Sequence, residues 1–297
     1  MRRNGVLVIF AGLVLLFGLT VEHFLTPRNL LNVARQTSIV AIVSVGMTFT
    51  ILTAGIDLSV GSLVALTGAV AALASAQWGL PLPAVFLVAV LSGALAGSIS
   101  GLLVAHGGLP PFVATLAMLA AGRGATLVIT NARPITIQAN GFRAIGTGTL
   151  LGVPTPVWIL AVVAVLAWLV LRYTRFGRHV YALGGNEETT RLAGIAVDRI
   201  KVAVYVISGA LAGLAGLVLT ARLNSAQPTA GVAMELDAIA AVVLGGASLA
   251  GGSGSVGGSI IGALIMGVLS NGLNLAGVPS YYQQIIQGSV IVLAVVL

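Results

Sequence analysis

Apolar residues fill nearly the whole chain, in runs that are separated by glycine, proline or charged positions. A helix needs about 20 consecutive apolar residues to cross the hydrocarbon core of a bilayer. Dividing the chain at its breaks predicts ten helices, with eight as the lower count. The predicted ranges are 5–21, 37–54, 58–77, 83–105, 111–130, 155–171, 201–220, 236–250, 256–273 and 282–297. The range 236–250 is short and runs into glycines, so it either spans the membrane or forms a broken, re-entrant element.

The composition excludes a soluble protein. Hydrophobic residues make up 58% of the chain and charged residues 7%, and the mean hydropathy is +1.10. So little polar surface cannot cover the apolar bulk in water. We therefore predict an all-α fold, a polytopic integral membrane bundle of about ten transmembrane helices, in which residues 1–297 form one transmembrane domain.

Both ends of the chain are apolar. Arg2 and Arg3 precede an apolar run as in a signal peptide, but the run is about as long as a membrane span, and Thr20–Glu22 is not a small-residue cleavage site. The first helix is therefore expected to be retained. The last run stops at Leu297 without a flanking charge, which is expected of a sequence that has been cut short.

One segment, residues 172–201, carries six of the fourteen basic and three of the seven acidic residues. In a soluble protein a net charge of +7 would suggest nucleic acid, but here the basic residues flank apolar runs and act as orientation signals. With the N-terminus inside, eight Lys and Arg lie inside, five lie outside, including Arg28 and Arg35 in a predicted loop, and Arg123 falls within a predicted span. The positive-inside bias therefore predicts a cytoplasmic N-terminus, a cytoplasmic C-terminus and a cytoplasmic segment 172–201.

The sequence lacks the residues that several kinds of chemistry require. The chain has no Cys, and His23, His106 and His179 have no metal-binding partner three or four residues away, so no metal site is expected. Residues 252–257 match GxGxxG, but no acidic residue follows Asp237 to bind a ribose, so these glycines are interpreted as packing or flexible positions. Lys201 is the only lysine and does not belong to a phosphate-binding loop.

A short capped helix is predicted within residues 172–201. Asn186 is a candidate N-cap, acidic residues follow in the first turn, and Gly194 lies at a C′-like position. The helix is too short to bury its apolar side, Leu192 and Ile195, by itself. We therefore favour docking to a partner over the alternative of a solvated connector. The candidate docking residues are Asn186, Glu187, Glu188, Arg191, Leu192, Gly194 and Ile195.

At this point the sequence resembles a known family. The run ALGGNEETTRLAGI is similar to the coupling loop of ATP-binding-cassette importer permeases, in which a glycine follows a glutamate by six residues, as Gly194 follows Glu188. Thr189 and Thr190 replace the alanines of that loop. The runs ILTAGIDLSVGSLVALTGAV, LGVPTPVWI, ARLNSAQPTAG, ELDAIAAVVLGGASLAGG and NGLNLAGVPSYYQ resemble the ribose-type permeases of monosaccharide importers.

The resemblance implies a division of labour. Two permease copies, expected to be a homodimer in the bacterial inner (cytoplasmic) membrane, would form the path for ribose or a related sugar. A periplasmic sugar-binding protein would deliver the sugar, and a cytoplasmic ATPase, which would hold ATP and Mg, would dock on the coupling loop. The chain itself would be no enzyme, would carry no cofactor, and would contact membrane lipid but no nucleic acid.

Acidic residues also interrupt the apolar runs. Asp57, followed by Ser59, lies between two of them, and Glu235 and Asp237 head another. Charges at membrane depth often mark a pathway, whereas an acid at a helix N-terminus is locally favourable. We favour helix capping for these acids and keep a position along the sugar path as the alternative.

Small residues indicate where helices pack closely. Glycines recur at four-residue spacing at Gly93, Gly97 and Gly101, at Gly209 and Gly213, and at Gly254, Gly258 and Gly262. Packing within the chain is favoured over a subunit interface.

Two other classes of protein stay open. An ion-coupled secondary transporter would use Asp57, Glu235 or Asp237 as a proton or sodium site, but it would not need the charged, capped helix. An intramembrane hydrolase would need a buried Ser–His pair. His106 and His179 fall in or near predicted loops, which disfavours such a pair.

Overall fold

The computed structural model describes residues 3–137 and 141–296. Its helices are α1 (Arg3–Thr20), α2 (Pro27–Leu52), α3 (Val60–Ala76), α4 (Leu82–Ala105), α5 (Pro111–Thr130), α6 (Phe142–Thr147), α7 (Thr155–Tyr173), α8 (Arg175–Gly185), α9 (Glu187–Leu192), α10 (Val197–Leu223), α11 (Met234–Leu244), α12 (Val256–Leu275) and α13 (Ser280–Val296). The short strands are β1 (Ile135–Thr136), β2 (Thr149–Leu150), β3 (Val153–Pro154) and β4 (Ser225–Ala226).

The prediction of a helical membrane bundle is confirmed. Six helices, α2, α4, α5, α7, α10 and α12, are long and apolar enough to cross a membrane. Each of the ten predicted ranges corresponds to a helix, although the number that span stays a prediction. Leu297, the last residue of the range 282–297, lies outside the described residues.

Helix α2 is longer than predicted. It begins at Pro27, ten residues before the predicted start, because the Thr26 side chain accepts a hydrogen bond from the Asn29 amide and proline suits the first helical position. Its first turns carry Arg28 and Arg35, and these polar residues hid the helix from a search for apolar runs. Both arginines were expected in a loop, and that expectation was wrong.

Helix α11 is shorter than the predicted range 236–250. Its eleven residues give a length of about 16 Å, against about 30 Å for the hydrocarbon core. Its last residue is Leu244, Gly245 is the C-cap, and Gly246 adopts a φ of +87°, a conformation that favours glycine and stops the helix. The residues from 245 to 255, called the glycine loop below, connect it to α12.

Two helices were not predicted. Helix α6 lies between β1 and β2. Helix α8 begins after Thr174, whose side chain accepts a hydrogen bond from the Gly177 amide, and it buries Val180 and Leu183 on one side. Residues 172–201 therefore contain two helices and the start of α10, where one capped helix was predicted.

Helices α2 and α10 form the centre of the bundle. In each of them 61% of the most apolar window is buried, against 22–28% in α4, α5 and α7. A helix that is apolar all round and mostly buried belongs inside the protein, whereas the exposed apolar faces of the other three suit a lipid environment. Tyr205 of α10 is 1% exposed.

Glycines allow α4 to lie directly against α10. A side chain added at Gly93 would meet the backbone of Gly209, one at Gly97 would meet Tyr205, and one at Gly101 would meet Val202. In α12, Gly262 approaches the backbone of Ala241 in α11, and Gly258 approaches that of Gly245, the residue after α11. The structure places both sets of glycines at contacts within the chain, as backbone packing of membrane helices requires.

Short strands close one end of the bundle. β1 pairs antiparallel with β4, with Ile135 opposite Ala226, and β2 pairs with β3. The first pair ties the residues after α5 to the end of α10.

Candidate functional site

Residues 172–201, called the coupling segment below after their predicted role, contain a short and well-capped helix, α9. Asn186 accepts a hydrogen bond from the Thr189 amide at 2.8 Å, and the Thr190 hydroxyl donates to the Asn186 carbonyl at 2.7 Å. Two acids, Glu187 and Glu188, occupy the first turn of α9. The predicted N-cap and the acidic first turn are therefore present in the structure, and the Asn186 side chain satisfies one of the amides that the helix leaves free.

Ion pairs fasten α9 to the start of α10. Glu187 Oε1 lies 2.7 Å from Lys201 Nζ and 3.2 Å from an Arg191 nitrogen, and that nitrogen also lies 3.3 Å from Asp198 Oδ1. The hydrogen bond from Lys201 is the main reason that the pKa of Glu187 lies below its ordinary value. Exposed ion pairs contribute little singly, but these share partners and hold both ends of a short loop.

Within the described residues, the outer side of α9 is left exposed and is therefore available to a partner. Leu192 is 80% exposed, whereas Ile195 packs partly against the core. Gly194 adopts a φ of +77° with no atom within 4 Å of an added side chain, so the position needs glycine for its backbone conformation and not for space. Glu188 is exposed beside this surface.

Helix α8 attaches this surface to the membrane-embedded bundle. The Tyr181 hydroxyl donates to the Gly254 carbonyl at 2.9 Å. A side chain at Gly184 would overlap the Leu52 carbonyl and the Gly252 amide, and these two groups hydrogen-bond each other at 3.0 Å. The coupling segment therefore touches both the end of α2 and the glycine loop.

The polar stretch that follows α2 is fixed by Asp57. This residue is 0% exposed. One carboxylate oxygen accepts hydrogen bonds from the amide and hydroxyl of Ser59, and the other accepts from the Ser208 hydroxyl of α10 at 2.7 Å. Asp57 lies two residues before Ser59, the N-cap of α3, so it holds the turn that leads into the helix and ties it to the centre of the bundle. This bonding offsets part of the cost of burying a carboxylate.

A second polar contact joins α5 to the connection between β4 and α11. The Arg123 guanidinium donates to the carbonyls of Pro228 and Ala230, each at 2.8 Å. The carboxylate of Glu235 lies against Gly61 near the start of α3, where an added side chain would overlap it. Arg123 therefore fixes the connection before α11 through two carbonyls, and Glu235, in the first turn of α11, reaches α3.

The predicted acids belong to two elements, although the Glu235 carboxylate reaches the start of α3 at Gly61. Asp57 and Ser59 lie at the entry to α3, whereas Glu235 and Asp237 lie in the first turn of α11, where acids are favoured. Sequence reasoning missed Arg123 and Ser208 as partners. A single arginine inside an apolar run is itself a signal for an internal polar contact, but its carbonyl acceptors lie more than a hundred residues away.

The GxGxxG match at residues 252–257 packs against protein. Gly252 donates to the Leu52 carbonyl, and Gly251 and Gly252 approach Gly184 of α8. Contacts with protein therefore account for Gly252, and Gly254 lies against Ala247, whereas Gly257 has no atom within 4 Å of an added side chain.

Comparison with known proteins identifies the family. The sequence profile described as branched-chain amino acid transport system / permease component matches residues 29–295. The chain belongs to this family of transport permeases. It is therefore a multi-pass membrane protein of a transport system, in a family of permease components and not of known enzymes.

Individual relatives are similar over most of their length. The chain is 53% identical to the ribose import permease of Haemophilus influenzae, over 92% of this chain and 85% of that one. It is 49% identical to the ribose import permease of Bacillus subtilis, over 100% and 92%, and 41% identical to a D-allose transport permease of Escherichia coli, over 99% and 91%. The resemblance to ribose-type importer permeases is thus confirmed. No solved structure gives a significant match.

Proposed function

We propose that this chain is the membrane subunit of an ATP-binding-cassette importer for a monosaccharide, most simply ribose, in the bacterial inner membrane. The observation that carries the proposal is the 49–53% identity to ribose import permeases over at least 92% of the chain. The ion-coupled secondary transporter gains no support from these relatives.

The coupling segment supplies the mechanism. A cytoplasmic ATPase, which holds ATP and Mg, docks on the exposed surface around Glu188, Leu192 and Gly194. Because α9 is fastened to α10 by Glu187 and Lys201, force applied to α9 reaches α10 without loss in a flexible linker. Helix α8 carries the same displacement to α2 and the glycine loop.

The remaining parts of the proposal follow from the same assignment. The N- and C-termini lie in the cytoplasm, residues 1–297 act as one permease domain, two identical chains enclose the sugar path, and a periplasmic binding protein delivers the sugar. Supporting this orientation, the coupling segment holds six of the chain's fourteen basic residues. A neutral sugar needs polar contacts but no fixed charge, so Asp57 is assigned to holding the fold.

Reconstitution tests the proposal. Proteoliposomes containing the permease, its ATPase and its binding protein should take up labelled ribose when ATP is enclosed. Gly194→Trp and Glu188→Arg should abolish uptake and reduce co-purification of the ATPase while membrane insertion is retained. Glu22→Arg reverses an exposed acid outside the coupling segment and serves as the matched control, with uptake retained.

Two results would overturn the assignment. The first is a normal amount of co-purified ATPase with both coupling variants. The second is accumulation of sugar under an ion gradient by vesicles that contain this chain alone, since a permease worked by a separate ATPase cannot do this.

A further inference from the structure

A groove of about 590 Å³ runs along the outside of the seam between α4 and α10. Its walls are apolar and include Leu102, Val202, Val206 and Ile207. Its floor is the contact between α4 and α10 at which Gly101 meets the backbone of Val202. A rigid, glycine-packed floor means that the groove is a fixed feature of this face.

Two basic side chains stand at one end of the groove. His106 follows the last turn of α4, and Arg199 lies in the first turn of α10; both line the groove and both are exposed. Along α10, Arg199 and Val206 are seven residues apart, which places them about 10 Å apart on the same face. The groove is therefore basic at the end near the coupling segment and apolar further into the bundle.

The neighbouring acids are already occupied. Asp198 pairs with Arg191, and Glu187 pairs with Lys201 and Arg191. Within residues 3–137 and 141–296, no carboxylate forms an ion pair with Arg199. Its guanidinium thus remains available to an anion, which it can bind through two parallel hydrogen bonds.

From this arrangement we infer that the groove binds an anionic phospholipid of the leaflet that faces the coupling segment. The lipid phosphate is held by Arg199 and His106, and one acyl chain lies along Leu102, Val202 and Val206. The occupant follows from charge and depth: apolar walls suit a hydrocarbon chain, and basic residues at the membrane surface attract anionic headgroups. A second protein copy would have to bring an acid to Arg199 and apolar side chains to the same groove.

Native mass spectrometry of the purified permease tests this inference. Phosphatidylglycerol and phosphatidylcholine are added separately at equal concentration, and the lipid-bound fraction and the oligomeric state are read from the same spectra. The intact protein should retain phosphatidylglycerol in preference to phosphatidylcholine. Arg199→Gln should weaken retention of phosphatidylglycerol about fivefold, as expected for one basic residue at the membrane surface, and Arg199→Lys should keep most of it.

Matched variants separate the groove from general surface charge. Arg175→Gln removes an exposed arginine of the same segment that does not line the groove, and it should change retention less than twofold. Val206→Trp fills the apolar part while leaving Arg199 in place, and it should also release the lipid. Both are compared only in preparations that elute as a single species.

The inference is overturned if the two lipids are retained equally, or if Arg175→Gln and Arg199→Gln have the same effect. It is also overturned if Val206→Trp converts a dimer to a monomer while lipid retention is unchanged, because the groove would then be a contact between copies. None of these outcomes depends on the transported sugar or on the ATPase.

Discussion

Replacing Gly184 by alanine tests whether the coupling segment is held tightly against the membrane-embedded bundle. An added methyl group would overlap the Leu52 carbonyl and the Gly252 amide, and both are backbone groups. Neither can rotate away as a side chain can. Gly185, the next residue of α8, has no atom within 4 Å of an added methyl group, so Gly185→Ala is the matched control.

The expected cost follows from these contacts. Forcing a methyl group into a packed site costs about 1–3 kcal/mol. If the backbone separates to make room, the hydrogen bond from Gly252 to Leu52 is lost, which adds about 0.5–1.5 kcal/mol. Alanine recovers at most about 1 kcal/mol of helix preference. The net effect of Gly184→Ala is therefore destabilising by about 1–3 kcal/mol, whereas Gly185→Ala should be neutral or slightly stabilising.

Two assays read the result. Thermal unfolding in detergent should show a lower midpoint for Gly184→Ala and an unchanged one for Gly185→Ala. ATP-driven ribose uptake should fall for Gly184→Ala although the ATPase still co-purifies, since the surface of α9 is untouched. If the two variants unfold and transport alike, the close contact of α8 with Leu52 and Gly252 does not exist in the working protein.

Three further substitutions address the other contacts. In Asp57→Asn an amide nitrogen replaces one carboxylate oxygen, so a hydroxyl such as that of Ser208 loses its acceptor, and we expect about 1–3 kcal/mol of destabilisation. The readout is a lower yield of monodisperse protein with unchanged sugar preference. A changed preference at normal yield would contradict this. Arg123→Gln should increase hydrogen exchange in residues 224–233, because the carbonyls of Pro228 and Ala230 lose their donor. Unchanged exchange would show that Arg123 does not hold this connection in place. For Glu187, whose pKa is lowered, stabilisation of α9 is fully present above about pH 4.5 and is lost as the pH falls through the folded-state pKa. Exchange of α9 amides, corrected for intrinsic rates, should follow that course and lose its pH dependence in Glu187→Gln.

The sequence predicted those parts of the fold that depend on local pattern. Each of the ten predicted ranges contains a helix because long apolar runs are visible in the sequence, and the cap at Asn186 was found because its neighbours follow a known order of residue types. The start of α2 was missed because Arg28 and Arg35 belong to a helix end that is not apolar. The end of α11 was missed because alanines and valines continue the apolar pattern into glycines that stop the helix.

The contacts that hold the candidate site were beyond any local pattern. Asp57 was recognised as a candidate cap, but its bond to Ser208 joins residues 151 positions apart. Arg123 was counted only as a charge within a span, because carbonyls carry no sequence signal and no acid stands at helical spacing beside it. Side chains can be proposed from residue type, whereas a backbone acceptor is found only when the chain is folded.

The contact between Gly184, Leu52 and Gly252 is one of these backbone contacts, and under the proposed function it bears on transport. Leu52 is the last residue of α2, and residues 53–56 connect it to Asp57, whose carboxylate accepts a hydrogen bond from Ser208 of α10. A shift of α8 would therefore displace the end of α2, and with it the entry to α3, since no side chain lies between the backbones of Gly184, Leu52 and Gly252. Packed interiors respond to such shifts as connected bodies and not as soft material. Glycine at position 184 is thus explained by direct backbone contact, and under the proposed function this contact would pass motion of the coupling segment on to α2.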